Sequence, residues 1–420
     1  KVSGSDKNSS HITKKLQSLG AKIYIGHESK NITNNIDLVV YTSAISNDNP
    51  ELLKAQELNL NIMGRAEFLG MIMKNYKNAI CVSGTHGKTT TTGMLSSILI
   101  KTDMDPTIFL GGEMDSLGGN LLKGSYDLML TEACEYKRNF LKFNPTMEII
   151  LNIEEDHLDY YKDLKDIESA FIEYAEKIPR TGHLIVNEKY KELFKHLNCN
   201  VITFGPCKEA DYYPENVTLF PMPSYTLMHQ GEKITDINLK VMGEHNILNS
   251  LAAAAACLSL RIDSNTVKNG LYDFKGAHRR YEFRGKYNGA TIIDDYAHHP
   301  SEINATLKTA RSSTKGKVIA VFQPHTYTRT KKLLNKFAEA LTHSDETIIL
   351  DIYPAREKDT GEVHSKDIIA KMKSFNKNGR YANSFQEAAD IVRSIACEGD
   401  TIITIGAGNV NEVAEMLIDK

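Results

Sequence analysis

Ala79-Ile80-Cys81-Val82 is a short apolar run, Gly84-Thr85-His86-Gly87-Lys88-Thr89-Thr90 follows it, and Met94, Leu95, Ile98 and Leu99 then recur at helical spacing. The order predicts a strand, a tight phosphate loop and a helix. Backbone N–H groups at a helix start attract anions, the glycines let a polyphosphate approach the backbone, Lys88 reaches the β- and γ-phosphates, and the Thr89 hydroxyl suits Mg²⁺. Val82 stands where the longer form of this loop has its first glycine, so the chain carries the shorter GxxGKT form. A glycine turn capping a helix is the plainer alternative. The flanking strand and helix, and the polar clusters downstream, favour a site for ATP.

Working outward, 420 residues predict two to four domains. With 41% hydrophobic and 25% charged residues, the chain has the makings of an ample globular core. Fifty Lys and Arg against 53 Asp and Glu leave a net charge of −3, and no basic run carries interleaved aromatics, which argues against a nucleic-acid polymer as partner. The six cysteines form no CxxC pair and read as reduced thiols; with no membrane-spanning stretch and no signal pattern, the expected location is cytoplasmic.

Strand-like runs alternate with helical patterns throughout, which predicts an α/β protein of three domains, each built on a mostly parallel, doubly wound sheet. Residues 1–76 read as a Rossmann-like N-terminal domain, with a helical segment ending near Gly20, a strand at Leu38-Val39-Val40-Tyr41-Thr42-Ser43 and a helix from Pro50 to Leu58. The chain opens close to a strand end, and an earlier strand and loop are expected before it. Residues 77–283 form the phosphate-loop domain, with strands at 127–131, 148–152, 183–186 and 201–204. Residues 284–420 form a Rossmann-like C-terminal domain, with strands at 291–295, 317–322, 347–352 and 401–405. Gly406-Ala407-Gly408-Asn409 looks like part of a dinucleotide fingerprint, but it lies at the last strand and Asn411 occupies the third glycine position.

Open α/β sheets bind ligands at the C-terminal ends of their strands. Glu132 and His157 both fall there and, beside Thr89, could hold Mg²⁺; a loop cap and a solvated acidic turn, Glu154-Glu155-Asp156-His157, are the plainer readings. Asn246 and Asn249, three apart at the start of the small-residue helix 251–260, present two amides on one side, suited to a purine edge or to capping. Asp294-Asp295-Tyr296-Ala297-His298-His299-Pro300 and Gln323-Pro324-His325-Thr326-Tyr327-Thr328-Arg329 close two successive strands. Aspartates there suit ribose hydroxyls, and Arg329 suits a carboxylate or phosphate.

Taken together, GTHGKTT, TEACE, NIEEDHLDYY, GEHNILN, DDYAHHPSE, QPHTYTRT and GAGN resemble the Mur ligases, in order and over nearly the whole chain. The resemblance is to the branch that joins L-alanine to UDP-N-acetylmuramate in peptidoglycan synthesis. It implies that the lactyl carboxylate attacks ATP to give an acyl phosphate, which the amine of L-alanine then captures. It implies further that Gly84, Thr85, His86, Gly87, Lys88, Thr89 and Thr90 cradle ATP, with Lys88, His157 and Arg329 carrying catalysis. Thr89 and Glu132 would hold one Mg²⁺ and His157 a second. Asn246 and Asn249 would contact adenine, Asp294 or Asp295 the ribose, and Arg279 or Arg280 a phosphate. His325 and Arg329 would surround the amino-acid carboxylate, Tyr296 and His298 would lie against the nucleotide sugar, and Ser43 and Asp6 fall on the uridine side.

Three departures from the family pattern accompany the resemblance. The glycine-rich loop expected at the start of the UDP-binding domain is absent. Many relatives read His-Arg-Tyr-Thr-Arg where this chain has Thr326 in second place, which leaves Arg329 to carry the amino-acid carboxylate alone. Sister ligases place a carbamylated lysine where this chain has Ala170-Phe171-Ile172, and its absence fits the alanine-adding branch. The alternatives are a recycling ligase that attaches a ready-made tripeptide to the same sugar, and a P-loop kinase or switch NTPase.

Overall fold

In the computed structural model, which describes every residue except Ser43, Asp159, Asp419 and Lys420, the run 79–82 lies inside the strand Asn78–Ser83. This strand is buried on both faces from Ala79 onward, as continuous apolar strands of parallel sheets are. It occupies the middle of a ten-stranded sheet. Met147–Ile150, His183–Asn187 and Asn200–Phe204 extend that sheet in parallel on one side, and Leu128–Glu132 and Thr107–Met114 extend it in parallel on the other. The margins are antiparallel: Gly119–Leu122 at one edge, and a meander of Tyr212–Thr218, Ser224–His229 and Glu232–Asn238 at the other. The meander falls in a stretch that the sequence pattern leaves unassigned.

The helix after the phosphate loop, Lys88–Leu99, is buried without a break from Thr91 to Leu99. It is therefore not the one-sided helix that its apolar spacing suggests. The helices His245–Ser259 and Ser264–Asp273 pack on it. The five alanines 252–256 are wholly buried, and Gly270 abuts the backbone of Ile98 so closely that a Cβ would lie 2.5 Å from the Ile98 Cα. Small side chains are what allow the three helices to approach.

A second sheet of six strands follows, in the order Glu282–Tyr287, Ala290–Asp295, Thr401–Ile405, Val318–Phe322, Glu346–Ile349 and Arg380–Tyr381, parallel except for the first. Its first strand spans the boundary expected at 283/284. Two apolar cores, one on each face, confirm a doubly wound domain.

By contact density the chain divides into Lys1–Asn75 and Tyr76–Lys420, so both large sheets belong to one unit. In the smaller unit the strands form two parallel pairs rather than one sheet, Ser3–Asp6 with Lys22–Ile25 and Val39–Tyr41 with Ile62–Gly64. The expected helices are His11–Ser18 and Pro50–Glu57, the latter capped by the Asn49 side chain with Pro50 at its first position. No described helix is long and apolar enough to cross a membrane.

Candidate active site

Parallel register brings the ends of Asn78–Ser83, Leu128–Glu132 and Met147–Ile150 to one edge, with Val82 level with both Glu132 and Ile149. The phosphate loop turns there. Gly84 and Gly87 have φ of 134° and 84°, and a Cβ on Gly87 would lie 2.6 Å from Asn249 Oδ1. Only glycine fits both the backbone and the space. No side chain caps Lys88–Leu99, so its first-turn N–H groups face the loop and offer an anion site.

Lys88 Nζ donates to the carbonyls of Gly84 and Thr85 and to Glu135, 3.0 Å from Oε2. Burial disfavours the ammonium, but the Glu135 carboxylate outweighs it and raises the Lys88 pKa. Glu135 is itself buried, yet Lys88 and the nearby His157, whose Nε2 lies 3.6 Å from Oε1, keep it ionised below the usual carboxylate range. Thr89 Oγ1 donates to Glu132 Oε2 at 3.0 Å, and the Gly111 N–H holds the other oxygen at 2.6 Å. A hydroxyl and a carboxylate already converging at the loop are a donor set that suits Mg²⁺. His157 sits apart from that pair, between Glu135 and Asp156, with its ring 4.6 Å from that of Tyr136. Where sister ligases place a carbamylated lysine, Ala170 and Phe171 are buried, the latter edge-on to Phe140.

Beyond the loop opens a cavity of about 360 Å³, within the range of small-ligand sites. His86, Gly87, Thr89, Thr90, Asn246, Asn249, Arg280 and Asp295 line it, together with Phe274 and Tyr190, two apolar walls that no motif marked. Neither asparagine caps its helix, whose N-cap is Glu244. Asn246 Nδ2 bonds the Met242 carbonyl and Asn249 Nδ2 bonds Asn246 Oδ1, so each amide is held in one orientation.

The alternatives within two adjacent pairs separate here. Asp294 is fully buried, bonded by Thr404 Oγ1 at 2.6 Å and by Arg279 Nε at 2.9 Å, while the other Arg279 nitrogens bond the carbonyls of Gly406 and Gly408. Arg279 and Asp294 are thus committed to each other and to the second sheet, and neither lines the cavity. Asp295 and Arg280 do, and Arg280 Nη2 reaches Thr89 Oγ1 at 3.4 Å. Burial lifts the Asp295 carboxyl to about 6.

The second sheet meets the loop through His86. Its Nδ1 lies 3.1 Å from Glu302 Oε1, and its Nε2 lies 2.8 Å from Ser301 Oγ and 3.4 Å from Glu154 Oε2. Burial opposes protonation, but Glu302 and Glu154 override it and raise the imidazole to about 9. His86, Glu154 and His299 also have the spacing of a metal cluster, a grouping the motifs do not suggest. A protonated His86 already offsets one of the two carboxylate charges there.

A second, smaller pocket of about 140 Å³ lies beside it. Tyr296, His298, His325 and Arg329, expected around the two substrates, all line this one pocket, and His157 joins them. Arg329 bonds Asp156 Oδ1 through Nε at 3.2 Å and Nη2 at 3.0 Å; burial opposes ionisation of Asp156, but His157 and then Arg329 outweigh it and push the carboxyl far down. The acidic turn 154–157 is therefore part of the site. Burial and neighbouring cations keep His325 neutral, at about 3, and burial lowers His298 as well. Glu135, Asp156, Glu302 and Arg356 are among the site residues to which sequence reading gave no role; the first three lie inside quoted motifs, and Arg356 in none. Ser43 lies outside the described residues. Asp6 ends the strand Ser3–Asp6, where Oδ1 accepts from the Asn8 N–H.

A phosphate loop on one sheet, clasped by the strand-end loops of a second, defines a nucleotide-dependent ligase of the Mur type, and the family models agree. Residues 1–77 match the Mur ligase family catalytic domain, 82–257 the Mur ligase middle domain and 279–408 the Mur ligase glutamate ligase domain; the chain belongs to the Mur ligase family. Among its relatives, the UDP-N-acetylmuramate–L-alanine ligase of Clostridium kluyveri is 47% identical, over 100% of this chain and 93% of its own. That of Acetivibrio thermocellus is 47% identical over 99% and 90%. The crystal structure of the UDP-N-acetylmuramate-alanine ligase of Thermotoga maritima superimposes with a TM-score of 0.84 at 30% identity, covering 99% of this chain and 92% of that one.

Proposed function

We propose that this protein is an ATP-dependent ligase joining L-alanine to the lactyl carboxylate of UDP-N-acetylmuramate in peptidoglycan synthesis. The observation that carries the reading is one unit in which the Lys88 loop, a nucleotide-sized cavity and a small pocket bearing Arg329 adjoin. The full-length 47% identity to alanine-adding ligases supports the choice of substrates.

A carboxylate is a poor electrophile, so its oxygen first attacks the γ-phosphorus of ATP. The bond to the β–γ bridging oxygen breaks, ADP leaves, and an acyl phosphate forms. The amine nitrogen of L-alanine then adds to the acyl carbon. The tetrahedral intermediate collapses by breaking the carbon–oxygen bond to phosphate, and the nitrogen loses a proton. Phosphoryl transfer asks chiefly for positioning and charge neutralisation, which Lys88 and the first-turn N–H groups of its helix supply. Thr89 and Glu132 would hold one Mg²⁺, which neutralises phosphate charge when bound, and His157, beside the Lys88 partner Glu135, would help to hold a second. Asn246 and Asn249 would read adenine, Asp295 the ribose and Arg280 a phosphate. His298 Nδ1 lies 3.0 Å from the Tyr296 carbonyl, which can only accept, so Nδ1 carries the proton and the neutral Nε2 is left as an acceptor for the amine.

Release of phosphate from ATP in the presence of UDP-N-acetylmuramate tests the reading, comparing L-alanine, glycine, L-serine and a tripeptide as amine. We expect stoichiometric ADP, phosphate and amide product with L-alanine. Phosphate release that needs no amine, or turnover with the tripeptide alone, would sink the proposal.

A further inference from the structure

The small pocket contains two guanidinium groups, and they are not equivalent. Arg329 is already satisfied: Asp156 takes Nε and Nη2, His325 Nδ1 accepts from Nη1 at 3.2 Å, and the side chains of Arg329 and Asp156 are only 11% and 8% exposed. A buried, doubly bonded ion pair of this kind has little positive charge left for a ligand, and separating it would strand Asp156.

Arg356 lines the same pocket from the segment after Glu346–Ile349. Among the described residues no carboxylate pairs with it. Its guanidinium carbon lies 4.8 Å from the centre of the Tyr136 ring, a cation–π contact that takes up none of its N–H groups. The neutral His298 and His325 add no competing positive charge. Lys332 also lines the pocket, but the Leu158 carbonyl holds its ammonium; among the described residues Arg356 is therefore the guanidinium of the pocket without a counter-charge.

We propose that Arg356 binds the α-carboxylate of the incoming amino acid, with Arg329 acting as a positioning residue that ties Asp156 to the second sheet. This rests on reading the pocket as the amino-acid site. A guanidinium edge presents two N–H groups at the spacing of a carboxylate, and a carboxylate on Arg356 leaves the Arg329–Asp156 pair intact.

The test measures steady-state ligation by the full chain and by Arg356→Gln and Arg356→Lys, with L-alanine and with carboxyl-blocked L-alaninamide. Loss of a charge-assisted pair should raise the KM for L-alanine about tenfold or more in Arg356→Gln, less in Arg356→Lys, with the KM for ATP within about twofold of the parent. L-Alaninamide should be a poor substrate for the parent, and Arg356→Gln should lose most of that discrimination. An Arg356→Gln enzyme that keeps both the KM for L-alanine and the preference over the amide overturns the assignment. So does a change confined to the KM for ATP or UDP-N-acetylmuramate. If the parent itself ligates no amino acid, it is the reading of the pocket that fails.

Discussion

Lys88 and Glu135 show how one ion pair holds two functions. Glu135 is 3% exposed, and Lys88 is its cationic hydrogen-bond partner. Lys88→Ala should abolish product formation and also leave a buried carboxylate unpaired, which typically costs ~3–5 kcal/mol. Adding Glu135→Gln should recover much of that stability and none of the ligation, since the amide needs no counter-charge but cannot replace the ammonium at the phosphates. Chemical denaturation alongside product assays separates the two effects; a double variant that ligates would remove Lys88 from the mechanism. Thr89 and Glu132 form the comparable neutral-to-anionic pair, already 3.0 Å apart at the position where a cation is expected.

The phosphate loop works as an element because its conformation and its surroundings agree. Gly87 combines a φ of 84° with a would-be Cβ contact of 2.6 Å to Asn249 Oδ1. Gly87→Ala should therefore cost ~1–2 kcal/mol in backbone strain. It should also push Asn249 off its bond to Asn246, weakening ATP binding about tenfold or more. Calorimetric ATP titration with a thermal melt checks both; unchanged affinity would place the loop elsewhere than around the nucleotide. The helix that follows is short on charge because it is enclosed, with Thr91 to Leu99 buried between the sheet and two further helices. Its apolar spacing announced a helix but not that enclosure.

Across the Tyr76–Lys420 unit, the clasp of His86 on Glu302 and Glu154 joins the nucleotide loop to the second sheet. The folded chain holds this proton up to about pH 9, whereas an unfolded histidine releases it near 6.5, so the clasp stabilises fully below 6.5 and fades as pH rises through 9. Melting temperature should fall over that window, and His86→Asn should lose most of the slope; an equal slope in both proteins would show that the clasp does not titrate there. Much of this molecule was legible in its sequence. Apolar runs such as 318–322 and 401–405 mark parallel strands because both their faces are buried, and GTHGKTT marks the loop because its backbone demands glycine and its chemistry demands lysine. Local pattern also implied a helix at 50–58 and a small-residue helix at 251–260. It could not choose between Asp294 and Asp295, or between Arg279 and Arg280, since adjacent residues on a strand or turn differ only in which way the fold turns them. Nor could it see that Asp156 engages Arg329 from 173 residues away, or that no carboxylate among the described residues pairs with Arg356 in the same pocket. Short-range spacing is written into the chain by backbone geometry; the pairing of distant charges depends on how two sheets close on each other, and only the tertiary structure decides that.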